Sequence, residues 1–306
     1  MTGVLEGFLT IAVVIALGSL LAHLGIVDLR GQRSLSLTAF YVASPALLVT
    51  VLEDSDPSSV LSGPLIATAA GVVVAAGILI AVAIARGLDS GTAVIGALCS
   101  AYVNAGNLGI PIAAYALGDA ALVVPALLMQ LLFLQPLALT VLDVVTSPTR
   151  PSIGKILSRP VTNPLTIASM LGLVLALTDT ELPGAVHAPL ELVGGMAVPA
   201  MLIAYGVALR LGPLPGRGVS AQALGTVTVL KMVVQPVTAY VVGRFVVGLD
   251  DADLFAVTLL SALPTAQNVF VVATRYDRGI LLARDAIFVS TIASAPIAVV
   301  IAALLA

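Results

Sequence analysis

Tryptophan is absent from the 306 residues, cysteine occurs once, and only 9% of the chain is charged. Each scarcity excludes something. A lone Cys99 forbids an intrachain disulfide and leaves the redox compartment unreadable. A soluble domain carries roughly 25% charged residues. This chain, at 59% hydrophobic residues and a mean hydropathy of +1.15, has too few charges to coat a water-facing surface. Without tryptophan the aromatic belt of a membrane protein falls largely to the six Tyr. HExxH, GxSxG, P-loop and Cys/His metal spacings are all missing from the sequence. Enzymatic chemistry, ATP-driven pumping, a metal centre and a cofactor therefore have no support, and no nucleic-acid partner is expected. Carboxylates are also scarce inside the apolar runs, with Asp143 and Glu191 towards the ends of theirs. That disfavours a proton antiporter built on buried acids.

What is present reads as an all-α polytopic membrane protein. The first apolar run, Val4 to His23, has Glu6 as its only early charge and is long enough to span, so it is read as a helix and not as a cleaved signal. Ten spans are expected, at about 4–24, 36–52, 64–85, 92–118, 120–145, 162–178, 188–209, 221–247, 253–275 and 280–305. Charge tests the count. The loops after the odd-numbered spans hold Arg30, Arg33, Arg86, Arg150, Lys155, Arg159, Arg210, Arg217, Arg275, Arg278 and Arg284, eleven of the thirteen basic residues. Arg244 lies on the opposite side, together with Glu53, Asp54, Asp56, Asp119, Asp179, Glu181, Asp250, Asp251 and Asp253. The excess of basic residues places those loops in the cytoplasm and both termini outside it, in the cytoplasmic membrane.

Two of the spans are interrupted. Ser100 to Tyr115, SAYVNAGNLGIPIAAY, carries Asn104, Gly106, Asn107, Gly109 and Pro111 where a helix should continue. Pro111 lacks an N–H, and its ring clashes with the carbonyl of residue 107, so the helix breaks. Non-helical backbone at membrane depth is tolerated only where protein or a watery cavity surrounds it. Ser261 to Tyr276, SALPTAQNVFVVATRY, repeats the pattern: at an offset of 161, Ser100 falls on Ser261, Ala105 on Ala266, Asn107 on Asn268 and Tyr115 on Tyr276. Gly87-Leu88-Asp89 matches Gly248-Leu249-Asp250 at the same offset, and Pro45 and Pro136 match Pro199 and Pro296 at nearly the same one. The polar Thr146 to Pro160 segment lies between the halves. Residues 1–149 and 161–306 are thus expected to be two five-helix repeats joined by a cytoplasmic linker at 150–160. Five spans per half force the halves to be inverted, with broken spans 4 and 9 crossing near the midplane.

Each break starts a new helix, at about Ile112 and about Thr265, and such N-termini attract anions. Asn104, Asn107, Thr265, Gln267 and Asn268 are the candidate substrate-binding residues, able to donate to a carboxylate or to repair the freed backbone. Asn107 and Asn268 stand out because they recur at matching points. Gly106, Gly109, Pro111 and Pro264 shape the breaks. Lys231, inside span 8, either balances a substrate anion or stands in for a coupling cation, or else is a snorkelling side chain or an anchor onto carbonyls near Gln235-Pro236.

Asn104 to Pro111, Leu263 to Phe270 and on to Ala273-Thr274-Arg275-Tyr276, and the second-half opening Asn163-Pro164-Leu165-Thr166-Ile167 together resemble the auxin efflux carrier family, plant PIN exporters and bacterial permeases, over essentially the whole chain. The resemblance implies ten helices in inverted repeats, a scaffold of spans 1, 2, 6 and 7, a mobile transport domain of spans 3–5 and 8–10, and an elevator-like cycle in a homodimer. It also implies that Pro111 and Pro264 mark the crossover and that Asn104 or Asn107 contacts a carboxylate. Span 3 here lacks charge until Arg86, a departure from the acidic and basic pair of plant relatives. The expected function is secondary transport of a small organic acid through the lipid membrane. A sodium-coupled symporter, an anion channel and a non-transporting sensor are the alternatives.

Overall fold

The computed structural model describes residues 2–53, 62–109, 112–113, 117–118, 120–147 and 164–305. The linker at 150–160 and Pro111 lie outside the described residues. Helices α1 (Thr2–His23), α2 (Leu29–Glu53), α3 (Gly63–Ala85), α4 (Ser90–Ala101) and α5 (Val124–Val145) come before the linker. After it follow α6 (Pro164–Leu177), α7 (Gly184–Leu211), α8 (Ala221–Val247), α9 (Asp251–Ser261), α10 (Asn268–Tyr276) and α11 (Ile280–Leu305). Of these, α2, α3, α5, α7, α8 and α11 are each long and apolar enough to cross a membrane. The chain is an integral, multi-pass helical membrane protein.

Local sequence explains where helices begin. Asp28, Ser62, Asp89, Ser220 and Asp250 each accept a hydrogen bond from the backbone N–H three residues on, capping α2, α3, α4, α8 and α9. The Asp28 cap starts α2 at Leu29, earlier than the apolar run alone suggests. Gly87 and Gly248 follow α3 and α8 at φ +62° and +74°, a conformation glycine adopts without strain. In each Gly-Leu-Asp triplet, then, the glycine ends one helix and the aspartate starts the next. The Asp89 carboxylate is held below its ordinary range, chiefly by the Thr92 N–H.

Of the prolines inside long helices, Pro45, Pro136 and Pro236 are absorbed in the same way. Proline has no N–H and its ring crowds the carbonyl four residues back. Ahead of Pro45, Pro136 and Pro236 the helix widens into a π-turn, at Ala39–Ala43, Met129–Leu134 and Leu230–Val234. The N–H of the residue before each proline (Ser44, Gln135 and Gln235) reaches five residues back, to the carbonyls of Ala39, Gln130 and Leu230. One wide turn re-satisfies the ladder that proline disturbs.

Helices α1 and α7 pack backbone against backbone. A Cβ on Gly206 would collide with the Ile15 carbonyl, and one on Gly18 with the Ile203 carbonyl. This is how membrane helices associate, through small residues that let van der Waals contact extend to the main chain. The aromatic face of α2 meets α10, where the Arg275 guanidinium lies 5.0 Å from the Tyr41 ring and 6.0 Å from that of Phe40.

Two expectations are corrected here. Lys231 is not the sole buried cation. Arg284, assigned to a loop, sits in the first turns of α11 at 1% exposure and pairs with the equally buried Asp285. The pair is held because Asp285 also accepts from the Gly216 N–H, while Tyr205 donates to the Arg284 carbonyl. The second break also resumes its helix later than Thr265. Thr265 and Ala266 pair with the first break, so α10 starts at Asn268.

Candidate functional site

The two interrupted stretches lie against one another. Helix α4 stops at Ala101, and Tyr102 turns the backbone into an extended conformation. Val103 then forms an antiparallel bridge with Thr265. The Asn104 N–H donates to the Pro264 carbonyl at 2.8 Å and the Ala266 N–H to the Tyr102 carbonyl at 3.2 Å. After the bridge, Ala105–Gly109 form one π-helical turn. Each break thereby supplies partners for the backbone that the other leaves bare.

Side chains complete the satisfaction. A helix ends with carbonyls that lack N–H partners. Here the Cys99 carbonyl accepts from the Thr265 hydroxyl at 2.6 Å, that of Ala101 from Gln235 Nε2 at 3.0 Å, and that of Ser261 from Lys231 Nζ at 3.0 Å. Lys231 also donates to Gln235 Oε1 at 2.8 Å. The Thr265 N–H reaches Ser290 Oγ on α11 at 3.1 Å. Thr265, Lys231 and Gln235 are fully buried. These three are brought together by the structure, and in this arrangement they repair the breaks.

Asn104, Gln267 and Asn268 face a cavity of about 220 Å³. Asn104, 2% exposed, donates from Nδ2 to Gln267 Oε1 at 2.9 Å, and both line the cavity with Asn268 and Gly106. Asn268 also meets the Tyr102 hydroxyl, which donates to Gln135 Oε1 at 2.9 Å, and its own Oδ1 is buried with no donor. Beside Gly106 a Cβ would meet nothing within 4 Å, which keeps the wall open there. Gly109 instead packs against Val123 and Leu263, so it shapes the break without lining the cavity. The backbone of Asn107 lies within the π-helical turn; its side chain lies outside the described residues. At the second break Pro264 contributes its carbonyl, which accepts the Asn104 N–H.

Sequence reading missed Tyr102, Ser44, Gln130 and Gln135, all of which line the cavity. Gln130 is 1% exposed and its Oε1 has no donor among the described residues. A signal was present: two glutamines in an otherwise apolar helix are as conspicuous as the asparagines of the breaks. To the same cavity α2 also supplies Phe40, Leu47, Leu48 and Val51, and α7 supplies Val198 and Met201. Among the described residues no charged side chain lines the cavity. Chemically it offers neutral amides and hydroxyls set among hydrocarbon side chains.

Comparison with known proteins adds the family. Residues 4–139 and 135–302 match the family described as Membrane transport protein. A protein of Rhizobium meliloti named "Putative malonate transporter" is 28% identical over 276 residues, covering 86% of this chain and 83% of that one. A protein of Methanothermobacter thermautotrophicus named "Uncharacterized transporter" is 29% identical over 302 residues, 95% of each chain. With the match running through both breaks and nearly end to end, the chain belongs to the membrane transport protein family, that of the auxin efflux carriers, and is a membrane transporter and not an enzyme.

Proposed function

We propose that the protein is a secondary transporter that carries a small organic carboxylate through the cytoplasmic membrane by alternating access, binding it in the cavity beside the paired breaks. The observation that carries this reading is the composition of that cavity. It sets Asn104, Gln130, Gln267 and Asn268 among apolar residues of α2 and α7. Amide N–H groups donate to a carboxylate, hydroxyls and amide oxygens accept from its polar substituents, and the hydrocarbon side chains take its carbon skeleton. The unpartnered oxygens of Gln130 and Asn268 are buried acceptors, which a hydroxyl or other donor on the ligand would satisfy and its carboxylate would not. A volume near 220 Å³ suits an acid of a few carbons, and the malonate in the name of the Rhizobium relative is of that size.

In this reading the helices form two inverted five-helix repeats. Helices α1, α2, α6 and α7 are the scaffold, through which two copies pair as a homodimer. The remainder slides as an elevator, with both termini on the extracytoplasmic side. The cavity lies between the two groups: α2, α6 and α7 line it from the scaffold, and the breaks, α5 and α10 from the remainder.

Counterflow in proteoliposomes tests the proposal, with labelled malonate and a panel of monocarboxylates and dicarboxylates. Saturable exchange of one acid is expected, reduced about tenfold or more in Asn104→Ala and in Asn268→Ala, the scale of one or two lost buried hydrogen bonds. Asn107→Ala belongs to the same series. Exchange that survives all three changes would place the site elsewhere. Currents without saturation or counterflow would make the protein a channel.

A further inference from the structure

Lys231 presents an unusual arrangement for a buried ammonium. It is fully buried in α8, within the π-turn Leu230–Val234, and its two partners are oxygens, Gln235 Oε1 and the Ser261 carbonyl. The orientation of the Gln235 amide is fixed, because its Nε2 donates to the Ala101 carbonyl. Its oxygen therefore faces Lys231. A neutral amine carries a lone pair that needs a donor, whereas an ammonium donates only, which fits two acceptors.

The charge balance points the same way. Ala101 and Ser261 are the last residues of α4 and α9, the two helices that stop at the breaks. A helix C-terminus carries roughly half a negative charge. Two such ends converge on one side-chain pair, and together they call for about one positive charge. In membrane carriers built on broken helices, unwound carbonyls and half-helix C-termini are what coordinate a coupling cation.

We propose that Lys231 is the resident cation of this site: its ammonium occupies the place between the carbonyl ends of α4 and α9 that a sodium ion would otherwise take, so transport proceeds without a coupled metal cation. This inference rests on the transport reading above. Gln235 acts as a positioning residue, extending the reach of one ammonium to both helix ends.

The test compares wild type with Lys231→Met, which keeps an unbranched side chain one heavy atom shorter and removes its charge, and with Lys231→Ala, which leaves room. Malonate counterflow is measured in sodium and in choline media, and thermal unfolding is followed with and without added sodium or ethylammonium. Wild type is expected to exchange equally in both media. Lys231→Met should lose about tenfold or more while remaining monodisperse, and Lys231→Ala should regain exchange and melting temperature on addition of ethylammonium or sodium. Exchange in Lys231→Met within about twofold of wild type, a change too small for a lost charge–carbonyl contact, would overturn the proposal. So would a sodium requirement in the wild type. If wild type exchanges no acid, the transport reading fails, and melting decides alone: stabilisation of Lys231→Ala by these cations, absent in wild type, supports the resident cation, and its absence overturns it.

Discussion

Thr265→Val is the sharpest probe of how the breaks are held together. Thr265 is fully buried, and its hydroxyl donates to the Cys99 carbonyl at 2.6 Å across the crossing. Valine keeps the branched shape and the volume but removes the donor. The Cys99 carbonyl then lies buried with that hydrogen bond lost, which costs about 1–3 kcal/mol. Polar contacts between membrane helices average nearer 0.6 kcal/mol, with a maximum of about 1.7, so the expected loss lies near 1–2 kcal/mol. For a chain of this size that is a fall of roughly 2–8 °C in melting temperature, at about 2–4 °C per kcal/mol. The assay is supplied by the sequence. With no tryptophan and one cysteine, which is fully buried, a thiol-reactive dye reports unfolding through Cys99 alone. Thr265→Ser retains the hydroxyl, so it should keep exchange activity even where it loses packing. A Thr265→Val protein that melts within about 0.5 °C of wild type, below the effect of any real buried hydrogen bond, and exchanges normally would refute the structural role given to this contact.

Two further outcomes follow from the fold. Gly206→Val places methyl groups where the Ile15 carbonyl lies; it should part α1 from α7 and lower stability by about 1–3 kcal/mol, as overpacking does, read as a fall in melting temperature and in the yield of monodisperse protein. Asp89→Ala removes the cap of α4 and should cost about 1 kcal/mol at neutral pH. Because the native carboxyl titrates below its ordinary value, chiefly through the Thr92 N–H, its contribution is complete above the unfolded pKa and is lost as pH falls through the native one. The melting difference between Asp89→Ala and wild type should therefore shrink in acid, below about pH 4. A difference that is constant across pH would contradict the cap.

Much of the architecture is legible in apolar run lengths and in two interruptions, because a bilayer punishes unpaired backbone severely. The breaks announced themselves through Asn104 and Pro264 for that reason. The pairing between them was less legible. Whether Asn104 and Thr265 bind a ligand or repair a break depends on which atoms face which, and spacing along the chain does not carry that. Asn104 shows why: its N–H goes to Pro264, which repairs the break, and its amide reaches Gln267 beside the cavity. Gln130 and Gln135 were passed over because helix α5 reads as a plain apolar span unless each amide is asked for its partner. Arg284 was misplaced because a basic residue near a helix end normally marks a loop. Only the fold reveals Asp285 turned inward beside it, with the Gly216 N–H closing the arrangement.

The π-turns ahead of Pro45, Pro136 and Pro236 have a consequence for rotational phase. Each inserts one residue into an otherwise α-helical ladder, and at 3.6 residues per turn one residue is worth about 100° of azimuth. Everything beyond such a turn is rotated by that amount relative to an uninterrupted helix. Deleting a single residue within Met129–Leu134 or Leu230–Val234 would leave the composition almost untouched yet swing the downstream half of α5 or α8 to a different azimuth. Such a deletion would part Gln135 from Tyr102, or Gln235 from Ala101, contacts they now make at 2.9 and 3.0 Å. These helices tolerate substitution far better than they tolerate a change of length.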